Sequence, residues 1–137
     1  MKRLPVIIII AGISLLWSER VWAGDFDGSK PLICSVIQSV ACPRDEEISK
    51  GTAEDVNLPQ FFFIDFEKKL VTGKTSEGAV RETKIESMRH EDGKLILQGV
   101  QRGEAWSAVI NEETGKAVII GANDEAGFVV FAACTPR

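Results

Sequence analysis

The stretch Gly127-Phe128-Val129-Val130-Phe131-Ala132-Ala133-Cys134 decides the fold, because both of its alternating faces are apolar and it ends in a cysteine. A half-buried strand alternates apolar and polar side chains. This one is therefore covered on both sides, or it completes a small sheet beside an apolar neighbour. The segments upstream are shorter and more amphipathic. Residues 61–66, 70–73, 80–89, 95–97, 105–110 and 117–120 carry strand patterns. Between them stand Glu67-Lys68-Lys69, Asp92-Gly93, Arg102-Gly103, Thr114-Gly115 and the run from Asn123 to Gly127. Short strands separated by glycine-bearing turns describe an antiparallel meander. With about seven or eight strands, such a meander closes into a small closed or partly open barrel of the lipocalin-like kind. The expected fold class is all-β.

Residues 32–41 hold Val36, Ile37 and Val40 among small polar side chains, which favours a strand. Leu32, Val36 and Val40 would also line up on a helix, with Ser29 as N-cap and Pro31 in its first turn. In residues 61–66, Phe62, Ile64 and Phe66 share one face while Phe61, Phe63 and Asp65 share the other. Residues 80–89 suit an edge strand shielded by charge, with Val80 and Met88 opposite Ile85. The long connection, residues 43–60, is acidic, contains Pro43 and Pro59, and shows no strand pattern. Within it Thr52-Ala53-Glu54-Asp55 matches the start of a short helix that Pro59 would end.

Met1-Lys2-Arg3, the apolar run from Leu4 to Leu16 and the closing Val21-Trp22-Ala23 have the three parts of a secretory signal peptide. Cleavage is expected after Ala23, leaving residues 24–137 as a single domain in the periplasm or outside the cell. The apolar run is too short for the roughly 20 residues that span a bilayer, so no membrane insertion is expected after cleavage. Removing Lys2, Arg3, Arg20 and Glu19 takes the formal net charge from −4 to −6. That sign disfavours nucleic acid and anionic lipid as partners and allows a cationic one.

Three cysteines enter an oxidising compartment: Cys34, Cys42 and Cys134. The odd number leaves one over, as a free thiol or in an intermolecular bond. A Cys34–Cys134 bond would close a loop of about 100 residues, contributing roughly 4 to 5 kcal/mol in the chain-entropy model. Cys34–Cys42 would contribute less, so the longer bridge is expected, with Cys42 left free.

The chain is poor in recognisable chemistry. His90 is the single histidine and stands beside the Asp92-Gly93 turn, without the ligand set of a metal site or the partners of a triad. Asp65 and Glu67 are spaced to share a strand face as a carboxylate pair would, but they run into the lysines of a wet hairpin turn. Asp25-Phe26-Asp27-Gly28 covers only a fragment of a calcium loop. No phosphate-binding glycine loop and no Cys-x-x-Cys motif occur. Neither a cofactor nor a metal is expected.

Taken together, Gly28 to Cys34, Gly51 to Phe61, Ile64-Asp65-Phe66, Leu95 to Gly99, Trp106-Ser107 and Gly127 to Pro136 resemble a family of small exported proteobacterial proteins. The resemblance covers nearly all of residues 24–137. It implies a location and a shape but no activity, since none is established for that family. Members carry a further cysteine shortly before the position of Gly51, where Ile48 stands here. If that cysteine is the usual partner of Cys42, the resemblance also implies a free Cys42.

The expectation is thus a monomeric, non-enzymatic binding or accessory protein. In one version, residues such as Trp106 and Phe128 line a pocket for a small apolar ligand. In the alternative, the acidic loop docks on a cationic secreted protein such as a lysozyme.

Overall fold

The computed structural model describes residues 24–137. The expected signal peptide, residues 1–23 with cleavage after Ala23, lies outside the described residues. The chain forms strands β1 (Leu32–Pro43), β2 (Ser49–Gly51), β3 (Phe61–Asp65), β4 (Leu70–Lys74), β5 (Val80–Lys84), β6 (Ser87–Glu91), β7 (Lys94–Gln101), β8 (Glu104–Asn111), β9 (Lys116–Ala122) and β10 (Ala126–Pro136). They make one antiparallel sheet in the order β5-β4-β3-β1-β10-β9-β8-β7-β6, with β2 added to β1 off that path.

Residues 32–41 are therefore strand and not helix, as part of β1. The final strand, β10, lies between β1 and β9 and so joins the start of the chain to its last hairpins. Its inward residues Val130, Ala132 and Cys134 are buried, while Phe131 points outward and is 41% exposed. Among the described residues, nothing covers the outer face at Phe131. Phe131 instead stands level with Val118 of β9, which stands level with Val109 of β8, so apolar side chains shelter one another across the strands.

The two ends of the sheet, β5 and β6, are consecutive in the chain and separated only by Ile85 and Glu86. Ile85 donates its N–H to the Lys69 carbonyl at 2.9 Å, whereas Glu86 donates to the Gln98 carbonyl at 2.8 Å. Hydrogen bonding passes here from β4 to β7, and the sheet curls into a partly open barrel. Residues 80–89 break into two strands at this point because one pairs with β4 and the other with β7. That break, together with β2, accounts for ten strands where seven or eight were expected.

The loop after β1 differs from its sequence reading in two details. Ser49–Gly51 pairs with Ser39–Ala41, a ladder too short to show periodicity. The helix is a single 3-10 turn, Glu54–Val56, and Asn57 at φ 53° ends it before Pro59 is reached. Ala53 is buried, and Val56 and Leu58 pack with it against Val36 and Val130 inside the barrel. The loop is thus a lid on one barrel end.

Asp55 anchors the lid by accepting hydrogen bonds from the Thr52 N–H and hydroxyl. Those donors hold its carboxyl below the ordinary carboxylate range, the backbone N–H contributing most. A depressed folded-state pKa means that the stabilisation is present above the unfolded value, about 3.9, and is lost as pH falls through the folded one. Acidification below about pH 4 is accordingly expected to lower the protection of the Thr52 amide, its exchange taken relative to the intrinsic rate at each pH, before that of the other amides. Asp55→Asn should show the lowered protection already at neutral pH, and identical protection in both proteins would refute the anchor.

Candidate functional site

Alternation along β8 and β10 turns Trp106 and Phe128 into the barrel. Both line an apolar cavity of about 120 Å³ beneath the lid. Leu97, Phe62, Ile119 and Val130 complete much of its wall, while Leu58 and Pro59 belong to the lid.

A row of small residues alternates with the two aromatics. Gly99, Trp106, Gly121 and Phe128 occupy one cross-strand level of β7, β8, β9 and β10, followed by Ala41 on β1. A Cβ built on Gly99 would lie 2.5 Å from Trp106 Cζ2, and one on Gly121 would lie 2.5 Å from Phe128 Cε1. Each ring therefore rests on a neighbouring glycine. Trp106 is further fixed across the seam, since its indole Nε1–H donates to Thr83 Oγ1 at 2.9 Å. Gln101 Nε2 spans the same seam to the Glu82 carbonyl at 2.7 Å.

Inward positions of β5 bring polar groups to this wall. Arg81 and Thr83 alternate with the exposed Val80, Glu82 and Lys84. Arg81 stands level with Gly73 of β4, over which Pro59 is packed. Its Nε is buried against the cavity and, among the described residues, has no hydrogen-bond partner. Sequence reading missed Arg81, because Val80-Arg81-Glu82-Thr83-Lys84 looks like a charged edge.

The other candidates fall elsewhere. Cys34 and Cys134 face each other across β1 and β10 and are bonded, burying the bridge in the core. Cys42 has no disulfide partner and lies half-buried opposite Gly127. His90 sits on β6, not in the turn, with its Nδ1 against Glu112 Oε1. Asp65 accepts the Lys68 N–H at 2.9 Å and pairs with Lys68 Nζ at 3.7 Å, which commits it to the hairpin. Among the described residues, no three His, Cys, Asp or Glu side chains converge as a metal site.

No protein-family model, curated protein or solved structure matches this chain. The geometry of the cavity therefore carries the functional argument.

Proposed function

We propose that the protein is an exported, non-enzymatic binding protein of the bacterial periplasm that holds a small apolar ligand, or the apolar end of one, within its barrel. The observation that carries this reading is the lidded apolar cavity walled by Trp106 and Phe128. Apolar surface gathered in a preformed, partly open cavity favours an apolar guest. At about 120 Å³ it is smaller than common ligand pockets of roughly 300 to 1,000 Å³. A cavity of about 150 Å³ accommodates benzene, so a six-carbon ring or chain sets the scale. The resemblance to exported proteobacterial proteins supports the location, and the Cys34–Cys134 bridge agrees with an oxidising compartment.

Docking of a cationic protein has support in the exposed Asp45, Glu46 and Glu47. The rest of the loop favours a lid, because Ala53, Val56 and Leu58 face the barrel and Asp55 is bound to Thr52.

Titration of residues 24–137 with 1-hexanol tests the pocket. Saturable amide NMR shifts are expected at Val36, Leu97, Ile119, Phe128 and Val130, and a change in Trp106 emission should follow the same isotherm. Trp106 is the single tryptophan of residues 24–137, so its emission reports this wall alone. Shifts confined to the outer face, or none at millimolar probe, would reject the reading.

A further inference from the structure

We infer that the guest is a small organic acid, with its carboxylate on the Nε edge of Arg81 and its hydrocarbon part between Trp106 and Phe128. The inference rests on the cavity being a ligand site and names the chemistry that it selects.

Among the described residues, Arg81 is the one basic side chain lining the cavity. Arg81 is half-buried, and of its guanidinium the Nε is shut off from solvent; since a guanidinium stays protonated at any ordinary pH, that N–H remains a donor. Leaving a buried N–H of a charged group without an acceptor is unfavourable, and native structures almost always supply one. Here the inward turn of β5 places that N–H against the apolar wall with nothing to receive it among the described residues. Glu82 and Glu104 also border the cavity, yet neither lies within ion-pair distance of Arg81. The Trp106 Nε1–H is already committed to Thr83, and one Gln101 Nε2–H to the Glu82 carbonyl.

What is missing is an acceptor, and an anionic one answers the charge as well as the N–H. A carboxylate offers two oxygens in the plane of the guanidinium, which suits charge-assisted pairing from one edge. A ligand with an apolar body and one carboxylate thus matches both halves of the site. An alcohol of the same length fills the cavity equally but leaves the charge unanswered. A hydroxyl-to-carboxylate change is therefore the discriminating variable.

Hexanoate and 1-hexanol, titrated in parallel at neutral pH and low salt, test this. Hexanoate is expected to bind the wild-type chain at least about tenfold more tightly, from the strength of a charge-assisted bond. In Arg81→Met, which keeps the apolar stem, that preference should vanish while 1-hexanol still binds. The Arg81 Nε–H resonance of the unsubstituted protein supplies a readout that does not depend on the variant folding. It should shift downfield further with hexanoate than with 1-hexanol, because the carboxylate accepts the stronger, charge-assisted bond. Equal affinity of acid and alcohol for the wild-type chain overturns the acid inference and leaves the pocket standing. A preference for acid that survives in Arg81→Met, or an unmoved Nε–H, also overturns it. Failure of both probes to bind removes the pocket and the inference together.

Discussion

Cys34→Ala/Cys134→Ala is expected to lower stability by about 4 to 5 kcal/mol, the chain-entropy value for so long a loop. At about 4 °C per kcal/mol for a domain of this size, the melting temperature should fall by about 15 to 20 °C. The bridge spans 100 positions in sequence, yet its ends are directly opposed on neighbouring strands. In the native state the register of β1 and β10 already holds the two residues together, so the bond adds little there. In the unfolded chain it removes nearly all conformations in which the ends are apart. The loss should therefore appear as an earlier transition and not as a different fold, with native NMR shifts retained well below it. Cys42→Ala is the control, because Cys42 lies outside the bridge and its loss should shift stability by about 1 kcal/mol or less. A double variant melting within about 3 °C of wild type would show that the unfolded chain is already compact.

The sequence discloses local features of this molecule better than non-local ones. Asp92-Gly93 and Arg102-Gly103 are readable as two-residue hairpins because their chemistry matches the backbone. Their φ values, 47° and 69° in the first and 50° and 80° in the second, are the positive pairs that such turns demand. Alternation groups Trp106 with Ala108 and Ile110 on one face of β8, but in β10, apolar on both faces, only the structure shows that Phe128 and not Phe131 turns inward. The disulfide partner follows from chain statistics and residue count. By contrast, the fate of residues 80–89 depends on which strands lie on either side, and nothing within Val80-Arg81-Glu82-Thr83-Lys84 says that β4 and β7 divide the segment. Arg81 is hidden for the same reason, since its inward aim becomes visible only when the sheet curls. The bulge in β1 is also silent in sequence. The register with β10 slips between Val36 and Gln38, leaving Ile37 70% exposed while Val36 and Ser39 both face in. A strict period-two reading would have turned Ser39 outward. Once inside, its hydroxyl donates to the Thr52 carbonyl and ties the lid to β1.

Gly99 and Gly121 did carry a signal, because glycine within a strand marks close approach by another group. They also supply a test that separates stability from binding. Gly99→Ala places a methyl group against both the Trp106 ring and the Lys84 carbonyl oxygen. That oxygen belongs to the backbone of β5 and cannot yield without separating β5 from β7 at the seam. Overpacking against a fixed group is expected to destabilise by about 3 kcal/mol, the upper part of the usual range. In Gly121→Ala the nearest atoms to the new methyl group are all at the outer end of the Phe128 ring, a side chain and not backbone. Its stability loss should be nearer about 1 kcal/mol. The ring borders the cavity, however, so a turn away from Gly121 moves it into space that the guest requires. Gly121→Ala should therefore bind 1-hexanol at least about tenfold more weakly, the cost of about 1.4 kcal/mol of excluded contact. Denaturant titration alongside calorimetric binding distinguishes the two effects. If Gly121→Ala binds as wild type does while Gly99→Ala unfolds early, the seam is as described but the guest does not occupy the space beside Phe128.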